Sequence, residues 1–301
     1  MELHQLQILR ELGALGSVTA VADALRVTPS AVSQHLAALQ RGFRTPLTRR
    51  AGRNLVLTAA GEVLASAGAE AIDAMAAART AVEDFEDAET GAVSLSGFHS
   101  AGQALFGSLL HELRGGSAPQ VLLTDEDVAQ SEFPALTSRY DLVLAHRMEH
   151  SSPWPVDGVR VLPLIREPLD VAVATSHPLA GRASVQPQDV AGERWVTSRV
   201  GYSPDDVLRA IAAVAHRPVD VRHRINDYGA VSAVIADGEA VGMLPRYTAR
   251  SADDERIVRI PLEGVSTHRM IDVLARPENL RRRSVRTVVD SLRRVLSALA
   301  S

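Results

Sequence analysis

The chain contains no cysteine and no lysine. Without cysteine, disulfides, thiolate metal sites and cysteine nucleophiles are excluded, and the composition fits the cytoplasm. Without lysine, all 32 basic residues are arginine, and a phosphate loop of the Gly-x-x-x-x-Gly-Lys type cannot be built. The bias reads mainly as genomic composition, with arginine's bidentate geometry as a secondary gain. No stretch approaches the ~18 apolar residues of a membrane span. The N-terminus, "MELHQLQILRELGALG", lacks a basic n-region and a continuous apolar core, so it reads as a helix rather than a signal peptide. Ten histidines are present, but none shows H-E-x-x-H spacing, and G-x-S-x-G is missing. Asp205-Asp206 and Asp253-Asp254 sit in helix-start or loop contexts. Nothing assembles a nucleophile, a base and an oxyanion site, so neither an enzyme nor a metal or cofactor site is expected.

What is present is organised by charge. The 301 residues carry a net charge of −4, unevenly spread. Residues 1–58 hold seven Arg against three acids, residues 59–90 one Arg against eight acids, and the remainder is close to neutral. A basic head, an acidic neck and a neutral body point to a polyanion partner for the head.

In the head, Leu3, Leu6, Leu9 and Leu12, with Ile8 and Leu15, form the stripe of a first helix. Ser17 can N-cap "VTAVADAL". After a short connection at Arg26-Val27, Thr28 caps a third helix with Pro29 at its first position. Val32, Leu36, Leu39 and Phe43 make its buried face. The opposite face carries Ser30, Ser33, Gln34, Ala37 and Arg41. Such short side chains allow close approach to a flat hydrogen-bonding surface, and Gln34 can pair with an adenine edge. Two short helices with this turn read as a helix-turn-helix. "RTPLTRRAGRNLVLT" then reads as a β-hairpin wing. Its Arg44, Arg49, Arg50 and Arg53 are suited to phosphates or a minor groove.

Residues 1–65, with "GSVTAVADALRVTPSAVSQHLAALQ" and "PLTRRAGRNLVLTAAGEVL", resemble the DNA-binding end of the LysR-type transcriptional regulators. Two departures stand out. Leu47-Thr48 replaces the family's usual Leu-Phe, and "RGFR" at 41–44 replaces acidic residues and Leu-Gly. The neck, 59–90, is alanine-rich, with Thr58 as a plausible cap. Leu64, Gly68, Ala71, Met75, Ala78, Val82 and Phe85 alternate spacings of four and three, a heptad seam. It reads as a dimerising linker helix, which in the resembled family pairs antiparallel.

In the body, 91–301, "VSLSGF", "QVLLTD", "DLVLAHR", "VRVLPLI", "LDVAVAT", "RWVTSR", "AVGMLP" and "MIDVLAR" read as strands. Segments 101–114, 203–216, 227–237 and 284–299 read as helices. This alternation predicts an α/β domain with mainly parallel sheets. "YDLVLAHR", "PLIREPLDVAVATSHPLA", "ERWVTS" and "DYGAVSAVIADGEAVGMLPR" resemble the LysR-type effector-binding domain. The resemblance implies the two-lobed α/β fold of type 2 periplasmic binding proteins. Lobe I would hold about 91–164 and 268–301, and lobe II about 165–267, with crossovers near Pro163–Pro168 and Gly264–His268. Ligands in such folds bind beyond strand ends and at helix starts. That places His99, Ser100, Arg147, Ser198 and Asp227 at the cleft. Ser100 matches a family effector-binding position, Arg147 can clamp a carboxylate, and Asp227 also suits a helix cap.

The resemblance implies a cytoplasmic regulator with no membrane partner. It would bind a dyad-symmetric double-stranded DNA site through Thr28, Pro29, Ser30, Ser33, Gln34, Arg41, Arg49, Arg50 and Arg53. The implied partners are a small organic anion or amino acid, a second copy or a tetramer, and RNA polymerase. Two rivals stay open: a small-molecule-binding protein whose head no longer binds DNA, and an α/β enzyme with a helical appendage.

Overall fold

The architecture is that of a computed structural model, which describes residues 1–300 except 53, 86–89, 156 and 250–254, and leaves out the side chains of 83–85. The head begins with α1 (Leu3–Leu15), α2 (Val18–Leu25) and α3 (Pro29–Gln40). Local chemistry sets each boundary. Gly16 closes α1 at φ 65°, and the Ser17 hydroxyl accepts from the Ala20 N–H to start α2. Arg26 takes the left-handed conformation at φ 54°, turning the chain sharply into α3. Thr28 then caps α3 with Pro29 at its first position. Ile8, Leu9, Leu12, Val21, Ala22, Val32, Leu36 and Leu39 form the head's core. Each fully buried Leu or Ile contributes about 1.5–3 kcal/mol. The wing is an antiparallel pair, β1 (Thr48–Ala51) and β2 (Asn54–Leu57). In place of the missing wing aromatic, Leu47 is buried and Phe43 packs on the same core.

The neck forms one helix, α4 (Ala59–Phe85). The Thr58 hydroxyl accepts from the Gly61 N–H at 3.1 Å and donates to the Pro46 carbonyl at 2.6 Å. The heptad seam divides between two surroundings. Leu64 packs on the head core, and Gly68 lies so close to Leu6 of α1 that an added Cβ would sit 3.2 Å from it. Ala71, Met75, Ala78 and Val82 are exposed, and the Phe85 side chain lies outside the described residues. One regular spacing thus serves two surfaces.

The body follows with β3 (Ala92–Gly97), α5 (His99–Glu112), β4 (Gln120–Asp125), α6 (Phe133–Leu136), β5 (Leu142–Met148) and β6 (Arg160–Ala174). Then come α7 (Pro187–Val190), β7 (Arg194–Thr197), α8 (Ser203–Val214), β8 (Asp220–Arg224), α9 (Tyr228–Ala236) and β9 (Val241–Pro245). The chain ends with β10 (Ile257–Ile260), β11 (His268–Ala275) and α10 (Arg283–Ala300).

The strand order is β4-β3-β5-β11-β6-β9-β7-β8, with β10 paired to β6. Against the expectation of mainly parallel sheets, the pairing is mixed. β3 is parallel to β4 and β5, and β7 to β8 and β9, but β6 and β11 run antiparallel to every strand they pair. The reason is the double crossing: the chain passes between lobes along β6 and returns along β11. The two segments read as separate strands, "VRVLPLI" and "LDVAVAT", are the single strand β6. Pro163, which has no N–H to donate, falls where the β6–β11 register shifts, opposite Asp272, so the ladder continues past it. β6 changes partner between Pro168, opposite β11, and Leu169, opposite β9. Each lobe has its own core, one around Leu95, Leu105, Phe133 and Leu292, the other around Trp195, Ile211 and Met243.

Candidate functional site

The structure offers two sites. On the head, Thr28, Pro29, Ser30, Ser33, Gln34, Ala37 and Arg41 are all exposed on or beside α3, while Val32, Leu36 and Leu39 face the core. The Thr28 hydroxyl accepts from the Ala31 N–H at 3.2 Å, and the Ser33 hydroxyl donates to the Pro29 carbonyl at 2.9 Å. These bonds hold the first turn of α3 in shape. Arg44, Arg49 and Arg50 are exposed along the wing, and Arg53 lies outside the described residues. Gln40 has a role that its sequence position does not signal. Its amide donates to the carbonyls of Phe43 and Thr45, both at 3.1 Å, and accepts from the Leu47 N–H at 2.8 Å. It fastens the wing to the end of α3.

The second site lies between the lobes. His99, at the start of α5, is held between two carboxylates. Its Nδ1 is 2.8 Å from Asp125 of β4, and its Nε2 is 2.9 Å from Asp227 at the cap of α9. The hydrogen bond to Asp125, opposed by burial and reinforced by Asp227, raises the imidazole pKa. Asp227 also accepts from the Ala230 N–H at 2.7 Å, and this bond, with His99, holds its carboxyl below the usual range. Nearby, Asp127 accepts from Arg199 at 2.8 Å and from Asn226 at 2.9 Å. The lobes are therefore latched shut by their own side chains.

Deeper in, Arg269 of β11 is fully buried. Its Nε donates to Glu167 at 2.9 Å and its Nη2 to Thr248 at 2.6 Å, and its guanidinium lies 5.1 Å from the Phe98 ring centroid. Ser100 is buried beside them, with Oγ 3.4 Å from both Thr248 Oγ1 and Arg269 Nη2. His146 bonds Ser203 at 2.9 Å across the lobes, and burial, with the Arg269 charge, pushes its pKa well down. It is neutral. The hydroxyls of Thr197 and Ser198 are buried with no hydrogen-bond partner among the described residues.

Of the five residues placed at the cleft from sequence, His99 and Asp227 touch, and Ser100 joins the Arg269 cluster. Ser198 follows the end of β7, beside Arg199, which reaches Asp127. Arg147 must be corrected. It follows His146 on β5, so strand alternation turns it to the opposite face, where its Nε lies 3.7 Å from Asp272. It does not meet the cleft group. Asp125, Asp127, His146, Glu167, Thr248 and Arg269 join the site without having been legible in the sequence. A partial signal was charge set among apolar strand residues, as in Glu167 of β6 and Arg269 of β11.

The His99 bridge gives a pH prediction. A raised folded-state pKa stabilises closure fully below the ordinary imidazole value of 6.5, and that contribution is lost as pH rises through the raised value. Thermal unfolding of wild type and His99→Gln should therefore differ most in mild acid and converge at alkaline pH. A difference that grows with pH would contradict the bridge. Water screens these half-exposed groups, so the effect is small.

Two family descriptions match in tandem. Residues 3–62 match "Bacterial regulatory helix-turn-helix protein, lysR family", and residues 86–297 match "LysR substrate binding domain". The chain belongs to the LysR family. It is a LysR-type transcriptional regulator with an effector-binding domain.

Among curated relatives, the HTH-type transcriptional regulator YybE of Bacillus subtilis is 22% identical over 285 residues, covering 91% of each chain. A full-length variant of OxyR from Pseudomonas aeruginosa superposes with a TM-score of 0.66 at 16% identity, covering 97% of this chain and 95% of that one. CbnR complexed with its target DNA superposes with a TM-score of 0.54 at 18% identity, covering 98% and 99%. These structures share the fold. Among the described residues, no helix is long and apolar enough to cross a membrane.

Proposed function

We propose that the chain is a cytoplasmic, ligand-responsive DNA-binding oligomer, and not an enzyme. The head (1–58) reads a dyad-symmetric site, the linker (59–90) pairs two copies, and the body (91–301) binds a small effector between its lobes. The observation that carries this is the α3 face. Ser30, Ser33, Gln34 and Ala37 leave a low, polar, exposed surface opposite a fully packed one. Such a helix fits a major groove with few side chains in the way. Arg41, Arg44, Arg49, Arg50 and Arg53 then serve phosphates. The solved complex of CbnR with its target DNA has this fold and supports the reading.

The exposed half of the neck seam, Ala71, Met75, Ala78 and Val82, suits a second α4. The resulting dimers, or tetramers built from them, bring RNA polymerase within reach. In the cleft, His99, Ser100, Ser198 and Asp227 are the proposed effector contacts. Arg147 is turned away and Arg269 is already paired, so the effector, a small organic anion or an amino acid, meets hydroxyls and the His99 bridge in place of a free guanidinium. An effector carboxylate suits the buried hydroxyls of Thr197 and Ser198.

The test is a DNase footprint on the DNA upstream of the protein's own coding region, at two salt concentrations, with and without pooled metabolites. Protection should weaken by about 0.9 log units of affinity per phosphate contact for each log unit of salt. One metabolite pool should alter its length. No protection at either salt would leave ligand binding by the body as the function. As a finer check, Gln34→Ala should cost about 1–3 kcal/mol at a single base position. Unchanged sequence preference in a binding-site selection would remove Gln34 from base readout.

A further inference from the structure

The head is fastened to lobe I of its own chain by buried charge. Arg10 and Glu11 of α1 meet Arg276 and Glu278, which follow β11. Arg10 Nη2 donates to Glu278 at 2.6 Å, Arg276 pairs with Glu11, and Arg10 lies 3.5 Å from Glu11. The side chains of Glu11, Arg10, Arg276 and Glu278 are only 1%, 10%, 10% and 15% exposed. Asp73 of α4 stands beside them; its pKa is raised by burial and by the Glu278 charge. The segment carrying Arg276 is bound into lobe I. Asn279 donates to the Asp141 carbonyl at 3.3 Å, and Arg282 to the Asp141 carboxylate at 2.8 Å, which itself accepts from Ser94.

Exposed ion pairs contribute little, but charges this deeply buried persist only while their partners stay in place. A change of head position must therefore break or remake all of them together. That makes the junction two-state rather than compliant.

The same strand links it to the cleft. β11 pairs with β6 over its whole length, from His268↔Pro168 to Ala275↔Arg160. One end of this ribbon carries the buried Glu167–Arg269 pair, at 2.9 Å. The other end runs directly into Arg276 and its bond to Glu11. At ~3.3 Å per residue, Arg269 and Arg276 are roughly 23 Å apart along the strand. We propose that the Arg10–Glu11–Arg276–Glu278 cluster is a lock between the DNA-reading head and lobe I, and that the β6–β11 ribbon makes it answer to the state of the cleft. The coupling rests on the cleft being the effector site. It gives the effector a route to the head within one protomer, separate from any change between protomers.

The absence of native cysteine makes the test direct. Spin labels at Asp23→Cys on the head and Gly116→Cys in lobe I, both at exposed positions, report their separation in the full chain by pulsed dipolar spectroscopy. With the labelled chain diluted in excess unlabelled chain, so that each oligomer holds one labelled copy, the otherwise wild-type chain should give one narrow distance. Glu11→Gln with Arg276→Met, which removes the pair without leaving a lone charge, should lose it. Glu167→Gln with Arg269→Met, which leaves the lock residues untouched, should shift or lose it too.

A narrow, unchanged distance in the first variant would overturn the lock, and in the second the coupling. If the first variant does not fold, Arg10→Met with Glu278→Gln tests the more exposed half of the cluster by the same readout. A chain that keeps its distance response but protects no DNA would sink the reading as a regulator while leaving the lock standing.

Discussion

Gly61→Ala is expected to unfold the head and abolish DNA binding while leaving the body intact. A Cβ on Gly61 would lie 2.0 Å from the Leu47 carbonyl oxygen and 3.0 Å from its carbon. These are backbone atoms and have no rotamer to escape into. The Leu47 carbonyl also accepts from the Thr58 N–H at 3.0 Å, and the neighbouring Pro46 carbonyl accepts the Thr58 hydroxyl at 2.6 Å. Making room separates α4 from the start of the wing and breaks both bonds. Overpacking of about 1–3 kcal/mol, plus about 1 kcal/mol for each lost hydrogen bond, outweighs the gain of about 1 kcal/mol for alanine in a helix. A net loss of about 2–4 kcal/mol is comparable to the roughly 3–5 kcal/mol that a single core of this size supplies. Trp154 and Trp195 both lie in the body cores. Tryptophan fluorescence should therefore unfold as in wild type, while operator affinity disappears. Retained affinity would mean that the wing and α4 can part without cost.

The difference between what could and could not be read from sequence follows the range of the interactions. Ser17, Thr28 and Pro29 act within four residues of themselves, so the helix-turn-helix and its boundaries were legible, as was the exposed face of small side chains on α3. The Leu64–Val82 spacing was legible as a seam. It could not say that Gly68 meets Leu6 of the same chain while Met75 stays exposed, because one period fits either partner. "VRVLPLI" and "LDVAVAT" read as separate strands, with a crossover near Pro163–Pro168. The register shift beside Asp272 leaves Leu164 of β6 as the extra residue and exists only against β11, distant in sequence.

The cleft was legible where it used a helix start, at His99, Ser100 and Asp227. It was not legible where it depended on strand parity, at His146 and Arg147, or on the partnership of Glu167 with Arg269, which lie 102 residues apart. Parity is fixed by which face the fold buries, and that is decided only when the sheet closes.

Arg269→Met should be the most damaging single change in the body. Glu167 is completely buried, accepting from the N–H groups of Tyr247 and Thr248 at 2.7 and 2.6 Å and from the Thr248 hydroxyl at 3.1 Å. Those bonds remain in the variant, but the cation that balances the carboxylate is gone. Leaving one partner of a buried pair uncompensated costs about 3–5 kcal/mol. Thr248 and Ser100 also lose the donor beside them, so the floor of the cleft is disturbed along with the β6–β11 crossing.

Adding Glu167→Gln removes the stranded charge while keeping an acceptor for the backbone donors. The double variant should therefore be more stable than the single one, even though it departs further from the native sequence. Thermal unfolding followed by tryptophan fluorescence decides this, because Trp195 reports lobe II and Trp154 lobe I. A double variant no more stable than Arg269→Met would mean that the guanidinium acts mainly through Thr248 and Phe98, and that the pair with Glu167 carries little of the stability of the β6–β11 crossing.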